Sequence, residues 1–203
     1  MSIMGATKRA AEGVVRSFAD HSKTRFAAVR FGNVLGSSGS VLGIFQEQIA
    51  KGGPITVTDE KVTRYFMTVE EAVSLVLQAA SMAKGGEIFI LRMGTPVRIA
   101  DMAKNLIVLS GLEPGKDIEI RYTGLKQGEK LDEELVEDAG HVLKSAHPDI
   151  TVLGPADADR EDIRKRVLEL EILMRGTDTA AMLRKLQELV PTFNPAEEHG
   201  LVS

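Results

Sequence analysis

The apolar positions of the chain follow two rhythms, one that suits helices and one that suits buried strands. Ala11, Val14, Val15 and Phe18 recur at helical spacing and put an apolar stripe on a helix over residues 4–20, which the polar cluster DHSKT ends. RFAAVRFGNVLG, residues 25–36, is mostly apolar and β-prone until its glycines stop it, which fits a strand buried on both faces in a parallel sheet. GSSGS is the loop that follows. VLGIFQEQIAKGG reads as a helix closed by Gly52, and PITVT as a short strand. In TVEEAVSLVLQAASMA, Thr68 stands as N-cap with Glu71 three positions on, so that side chain and backbone satisfy each other's free groups at the start of an apolar helix. GEIFIL is a second buried strand, and Ile99, Met102, Ala103, Leu106 and Ile107 mark a helix with Gly111 just past its end. DIEIRYTG alternates as a half-buried strand should, and the loop LKQGEK leads from it into another short helix.

After that the texture changes. DADREDIRKRVLELEILMRG and DTAAMLRKLQELVP are two charged amphipathic helices joined by a short Gly-containing turn, an αα-hairpin, and pairs such as Glu161 and Lys165 read as its solvated face. Strands alternating with helices predict an α/β fold. The expected architecture is a partial doubly wound, Rossmann-like parallel sheet lacking its N-terminal half, with a smaller α+β substrate lobe and a C-terminal helical hairpin. Residues 1–50 and 69–110 are expected to form the NAD-binding type of α/β domain, 51–68 and 111–155 the lobe, and 156–203 the hairpin and tail. Two runs look doubly buried, whereas a doubly wound sheet needs several more.

Composition narrows the function classes. Of 203 residues, 43% are hydrophobic and 27% charged, the balance of a globular protein with a substantial core. A net charge of -4 without a basic stripe argues against a nucleic-acid partner. The absence of cysteine removes disulfides, thiolate metal sites and a Cys nucleophile. His21, His141, His147 and His199 lack metal-ligand spacing, so no metal site is expected and all four are assigned to the surface. No apolar run reaches the length of a membrane span and no signal-peptide layout opens the chain, so a cytoplasmic location is expected.

The chemistry begins at MGATK. Met4 and Lys8 are four residues apart and share a helix face. On spacing alone, Lys8 is an exposed helix lysine. Three further stretches alter that balance: RFGNVLGSSGSVLGIFQEQIAKGG, PITVTDEKVTRYFMT and GLKQGEK. With MGATK and in this order, they resemble the extended short-chain dehydrogenases that act as nucleotide-sugar 4,6-dehydratases of polysaccharide biosynthesis, the capsule-protein type. The resemblance runs from residue 4 to about residue 195. In the superfamily the Met4 position carries Tyr, but in this group it is often Met. Met cannot move a proton, so Lys8 would keep the ribose-holding and electrostatic roles while acid–base work comes from elsewhere.

The resemblance implies an NAD cofactor and a UDP-sugar substrate resembling UDP-GlcNAc, oxidised at C4, dehydrated across C5 and C6, and reduced at C6. It places the backbone after Arg30, with Gly32, beside the nicotinamide. Asn33 is placed near the substrate diphosphate, where a short amide on a glycine-flanked turn can donate; read alone, it is an Asn in a turn. Ser40 and Val41 open a helix whose free N–H groups suit a phosphate or a polar ligand edge; read alone, they are an ordinary cap. Arg64 would clamp the diphosphate as a planar, multi-donor cation, with a surface Arg as the alternative. LKQGEK would hold the uridine ribose through Glu129, otherwise a solvated loop acid. Lys126 stands where Arg is usual and offers a point charge in place of a fork. Gln127, Gly43, Asp132 and Arg92 also depart from the family pattern. GNVLGSSG lacks the ending of a phosphate loop.

No glycine-rich strand–turn–helix for the NAD pyrophosphate occurs in these 203 residues. The expectation is therefore the C-terminal part of a dehydratase, inactive alone. A separate N-terminal half would complete it, with homo-oligomerisation through uncovered surfaces and membrane association through a preceding region. The alternative is a noncatalytic UDP-sugar-binding or oligomerising remnant.

Overall fold

The computed structural model describes residues 1–19, 22–126, 128–133, 142–154 and 160–195. Helix α1 (Ile3–Phe18) starts where the Ser2 hydroxyl accepts a hydrogen bond from Gly5 N at 3.1 Å. The β-prone run that follows forms two short strands, β1 (Ala28–Arg30) and β2 (Asn33–Val34), in different sheets. Doubly buried burial was expected there, but β1 is only half-buried because it is an edge strand. The break falls at Gly32, where an added Cβ would lie 3.0 Å from the Tyr65 carbonyl oxygen and 3.2 Å from Met93 Cε. Only a residue without a side chain lets the two backbones approach this closely.

Next come α2 (Val41–Ala50), β3 (Ile55–Val57), β4 (Thr63–Arg64), β5 (Phe66–Met67) and α3 (Val69–Met82). The Thr68–Glu71 capping box forms in both directions, with bonds of 2.8 and 3.2 Å. The remaining elements are β6 (Ile88–Leu91), β7 (Val97–Arg98), α4 (Ile99–Leu109), β8 (Ile120–Tyr122), β9 (Val142–Lys144), β10 (Ile150–Leu153), α5 (Arg160–Leu173) and α6 (Thr179–Leu189). The short helix expected after LKQGEK falls on residues outside those described, as do Gln127, His21, His141, His199 and the side chain of Glu161.

The principal sheet has the order β1-β6-β10-β9. β1 and β6 run parallel, with Val29 opposite Phe89, while β10 lies antiparallel to β6, with Val152 opposite Phe89. All four residues of β6 are buried, as a strand with neighbours on both sides and a helix on its face requires. The fold is thus α/β, with a parallel pair at one edge of a mixed sheet whose other pairings are antiparallel. β9 and β10, from the 111–155 stretch expected in the substrate lobe, extend this sheet.

Three apolar clusters hold the molecule. Phe89, Leu91 and Ile150 of the sheet pack with Ala72 and Ala79 of α3. Phe45 of α2, Ile55 and Val57 of β3, and Ala103 and Ile107 of α4 form a second core. The αα-hairpin of α5 and α6 covers α1, with Ala6 set among Leu186, Val190 and Phe193. Arg16 of α1 adds two bonds to the Leu153 and Gly154 carbonyls at the end of β10, at 3.2 and 2.8 Å.

Candidate functional site

β1 and β6 end on the same side of the sheet, and the chain leaving β1 carries the residues of interest past α1. A groove of about 610 Å³ opens there, walled by Gly5, Lys8 and Glu12 of α1, by residues 28–32, and by Glu133. This is where α/β folds place ligands, since loops leaving parallel strands diverge around a crevice. Lys8 is exposed on the helix wall. Met4 is 66% exposed and is not among the groove's walls. Arg30 turns its guanidinium back to Glu12, with Nε on one carboxylate oxygen at 2.5 Å and Nη2 on the other at 2.6 Å. Both side chains are about 15% exposed, so this bidentate pair locks α1 to the end of β1. The Arg30 side chain is thus committed to the helix by the Glu12 carboxylate, itself part of the groove wall.

The second assembly is polar and joins the short strand β4 to loops. Arg64 Nη1 donates to the Thr63 and Leu131 carbonyls at 2.7 and 3.0 Å, and Nη2 reaches Glu129 Oε1 at 3.3 Å. The same Glu129 oxygen accepts from Thr58 Oγ1 at 2.8 Å, and its Oε2 accepts from the Lys126 backbone N–H at 3.0 Å. Arg64 and Glu129 are 20% and 21% exposed, which excludes most but not all of the surrounding water from the pair. Lys126 contributes backbone to this knot and leaves its ammonium exposed. Asp132, standing where an aromatic is usual, accepts from Thr63 Oγ1 at 2.7 Å.

Asn33 sits where the two assemblies meet. Its backbone N–H donates to the Tyr65 carbonyl at 2.9 Å, next to its β2–β5 pairing with Phe66. Its Nδ2 donates to the same carbonyl at 3.2 Å and to Glu133 Oε2 at 3.3 Å. Residues 129–133 thus run as a strip along residues 58–65, holding Arg64 at one end and reaching the groove through Glu133 at the other. Sequence reading missed Glu133. The motif quoted for this loop ended at Lys130, and the only local signal was an acid four residues after Glu129.

Ser40 and Val41 stand apart. Ser40 begins α2 without a side-chain cap bond and Val41 packs on the core around Phe45; among the described residues neither lines the groove nor bonds to the Arg64 cluster. Arg92 lines a separate cavity of about 750 Å³ with Glu70, His147 and Asp149. No group of three or more potential ligands for a metal ion occurs among the described residues. Nor does any described helix have the length and apolarity to cross a membrane.

Known proteins carry this combination of motifs and fold. A family model described as polysaccharide biosynthesis protein matches residues 1–155. The capsular polysaccharide biosynthesis protein CapD of Staphylococcus aureus is 60% identical over 136 residues, which cover 66% of this chain and 22% of that protein. An inverting UDP-N-acetylglucosamine 4,6-dehydratase of Campylobacter jejuni subsp. jejuni serotype O:2 is 32% identical over 140 residues, covering 67% of this chain and 39% of the dehydratase. Among solved structures, Pen from Bacillus thuringiensis superposes with a TM-score of 0.65 at 33% identity, over 83% of this chain and 58% of that one. The chain accordingly spans less than half the length of these two curated relatives. With its first 155 residues matched and its fold shared, the chain belongs to the polysaccharide biosynthesis protein family and is related to the UDP-N-acetylglucosamine 4,6-dehydratases.

Proposed function

We propose that this chain forms the sugar-nucleotide side of a UDP-sugar 4,6-dehydratase of polysaccharide biosynthesis, with a UDP-GlcNAc-like substrate. The observation that carries the reading is the Arg64–Glu129 knot, in which a planar cation from β4 and a carboxylate from a loop share one partly water-excluded spot. A diphosphate suits the Arg64 fork, and ribose hydroxyls suit the Glu129 carboxylate. In the ligand-free arrangement the two residues satisfy each other. A nucleotide binds by exchanging that pair for its own charges and hydroxyls.

For NAD, the residues present fit one end of the cofactor. Lys8 lines the groove as an exposed lysine whose ammonium suits ribose hydroxyls, and residues 30–32 line it as well. When bound, NAD supplies the hydride chemistry of the reaction. The pyrophosphate end has no glycine-rich loop in these 203 residues, so turnover requires polypeptide that carries one, such as a separate N-terminal half. The chain alone is proposed to bind UDP-sugar without dehydrating it.

Calorimetric titration of the full chain with UDP tests the reading. Saturable binding is expected, weakened about tenfold or more by Glu129→Gln and by Arg64→Ala, since each loses charge-assisted hydrogen bonds. Absence of saturable binding at millimolar UDP, or affinity indifferent to both substitutions, would defeat it. A second reading, a noncatalytic module that pairs with another copy of itself, is favoured by an exposed apolar stripe on α3 formed by Val69, Val73 and Leu77. Sedimentation that shifts from dimer to monomer in Val73→Glu would support that reading; a wild-type monomer would end it.

A further inference from the structure

Three bonds hold the Glu129 carboxylate among the described residues, and a nucleotide would act on them differently. Oε1 accepts from Thr58 Oγ1 at 2.8 Å and from Arg64 Nη2 at 3.3 Å, while Oε2 accepts from the Lys126 backbone N–H at 3.0 Å. Arg64 Nη2 can leave without the side chain losing its place, because Nη1 stays on the Thr63 and Leu131 carbonyls at 2.7 and 3.0 Å. Thr58 cannot follow it. It stands directly after β3, whose Ile55 and Val57 are buried in the core with Phe45 and Ile107, and the Val57 carbonyl accepts from Thr123 N at 2.9 Å. A carboxylate offers about four acceptor positions, two on each oxygen. With Arg64 Nη2 withdrawn to a diphosphate, Thr58 fills one position on Oε1, the Lys126 N–H fills one on Oε2, and one on each oxygen is open. Two open acceptors on neighbouring oxygens match a pair of neighbouring hydroxyls.

Resting on the sugar-nucleotide reading, we infer that Thr58 is a positioning residue: it holds Glu129 in place while Arg64 is exchanged, so that the carboxylate meets the vicinal diol of a ribose with both oxygens. Thr58 itself does not touch the ligand. Without its hydroxyl, Glu129 would keep only the Lys126 N–H once Arg64 Nη2 has turned away, and a carboxylate on a single bond is free to swing out of register with the diol. The loss therefore shows at the hydroxyls and not at the diphosphate, which Arg64 holds from its own anchor. The PITVT stretch, expected from sequence only as a short strand, thus supplies both the buried residues of β3 and, in its last threonine, the donor that orients Glu129.

Calorimetry on the full chain with UDP and with 2′,3′-dideoxy-UDP, which lacks both hydroxyls, tests this. Wild type should bind UDP more tightly than the dideoxy form. Thr58→Val, close in shape but without the donor, should weaken UDP about three- to tenfold, the net range of one hydrogen bond, and leave the dideoxy form within about twofold. Thr58→Ser restores the hydroxyl and should recover most of the UDP affinity. In the Glu129→Gln background, Thr58→Val should add less than about twofold, since Thr58 acts through that carboxylate. Thr58→Ala, measured alongside, removes the donor without adding a methyl group, so the outcome does not hang on one variant folding. A threonine that merely supports the fold would weaken both ligands alike and act equally in either background. That pattern overturns the inference, as does UDP affinity unchanged in Thr58→Val, no recovery in Thr58→Ser, or a wild type indifferent to the missing hydroxyls. In each of those cases, UDP binding that still depends on Arg64 and Glu129 leaves the sugar-nucleotide reading standing. A wild type that binds no UDP ends both.

Discussion

The groove beside Lys8 and the knot around Arg64 lie on the same side of the molecule but are held by different physics. The Lys8 wall is a helix pressed from behind by α6 and the segment after it through Leu186, Val190 and Phe193, and pinned in front by the Glu12–Arg30 pair. Its shape is set by packing, with a lysine left over for a ligand. The Arg64 side consists of the two-residue strand β4 and loops whose polar side chains bond chiefly to neighbouring groups of the same assembly. Its shape is set by hydrogen bonds that a nucleotide would have to replace. The difference teaches where rigidity and adaptability lie: apolar burial fixes the position of Lys8, while the mutual pairing of Arg64 and Glu129 keeps two charges satisfied until a ligand arrives.

The largest effect should come from breaking the apolar support. Phe193 is fully buried, and Phe193→Ala is expected to cost about 3–5 kcal/mol by urea denaturation. Hydrogen exchange should rise along α1, α5 and α6. UDP affinity at the knot should stay within about twofold in the molecules that remain folded; a large loss would mean that the two walls are not independent. Glu12→Ala comes next. It removes the bidentate partner of a guanidinium only 15% exposed, and should cost about 1.5–3 kcal/mol, the range of charge-assisted hydrogen bonds. The double substitution Glu12→Ala with Arg30→Met should recover part of that loss, and a double-mutant cycle in urea measures the coupling. Additive costs would show that the pair does not pin the helix.

The same division governs how much could be read from sequence. α3 was legible to the residue at its start, because Thr68 and Glu71 announce a capping box and the apolar spacing continues it. The hairpin and α4 were legible for the same reason, periodicity being a local property. The two-residue strands β4, β5 and β7 were not, since each exists only by pairing with a partner distant in the chain. β1 was expected to be buried on both faces, yet its edge position leaves it half-buried, and no local pattern shows which strands will flank it. Within the site, Lys8, Arg64 and Glu129 stood in recognisable motifs. Glu133 did not, because its part depends on Asn33, Tyr65 and the 129–133 strip meeting in space.

The smallest expected effect lies in the polar dressing of the hairpin that backs the Lys8 wall. Lys185 of α6 donates to Glu188 at 2.5 Å and across to Glu169 of α5 at 2.9 Å. The Lys185 hydrogen bond holds the Glu169 carboxyl below its ordinary range, and the bonds to Glu188 and then Glu169 hold the Lys185 ammonium above its own. The signs follow from which state binds protons more tightly. Glu169 contributes stability above the ordinary carboxylate value of about 4.3, and that contribution is lost as pH falls through its lower folded value. Lys185 contributes below about 10.4, and its contribution is lost as pH rises through its higher folded value. Both groups are solvent-screened, so urea midpoints should dip only slightly at the two extremes and the dips should shrink in high salt. Lys185→Met should flatten both dips while leaving the neutral-pH midpoint nearly unchanged, because the support of α1 rests on Leu186, Val190 and Phe193 and not on these charges. A neutral-pH loss in Lys185→Met as large as that of Phe193→Ala would mean that the hairpin, like the Arg64 knot, is held by its polar bonds, and the contrast between the two walls would disappear.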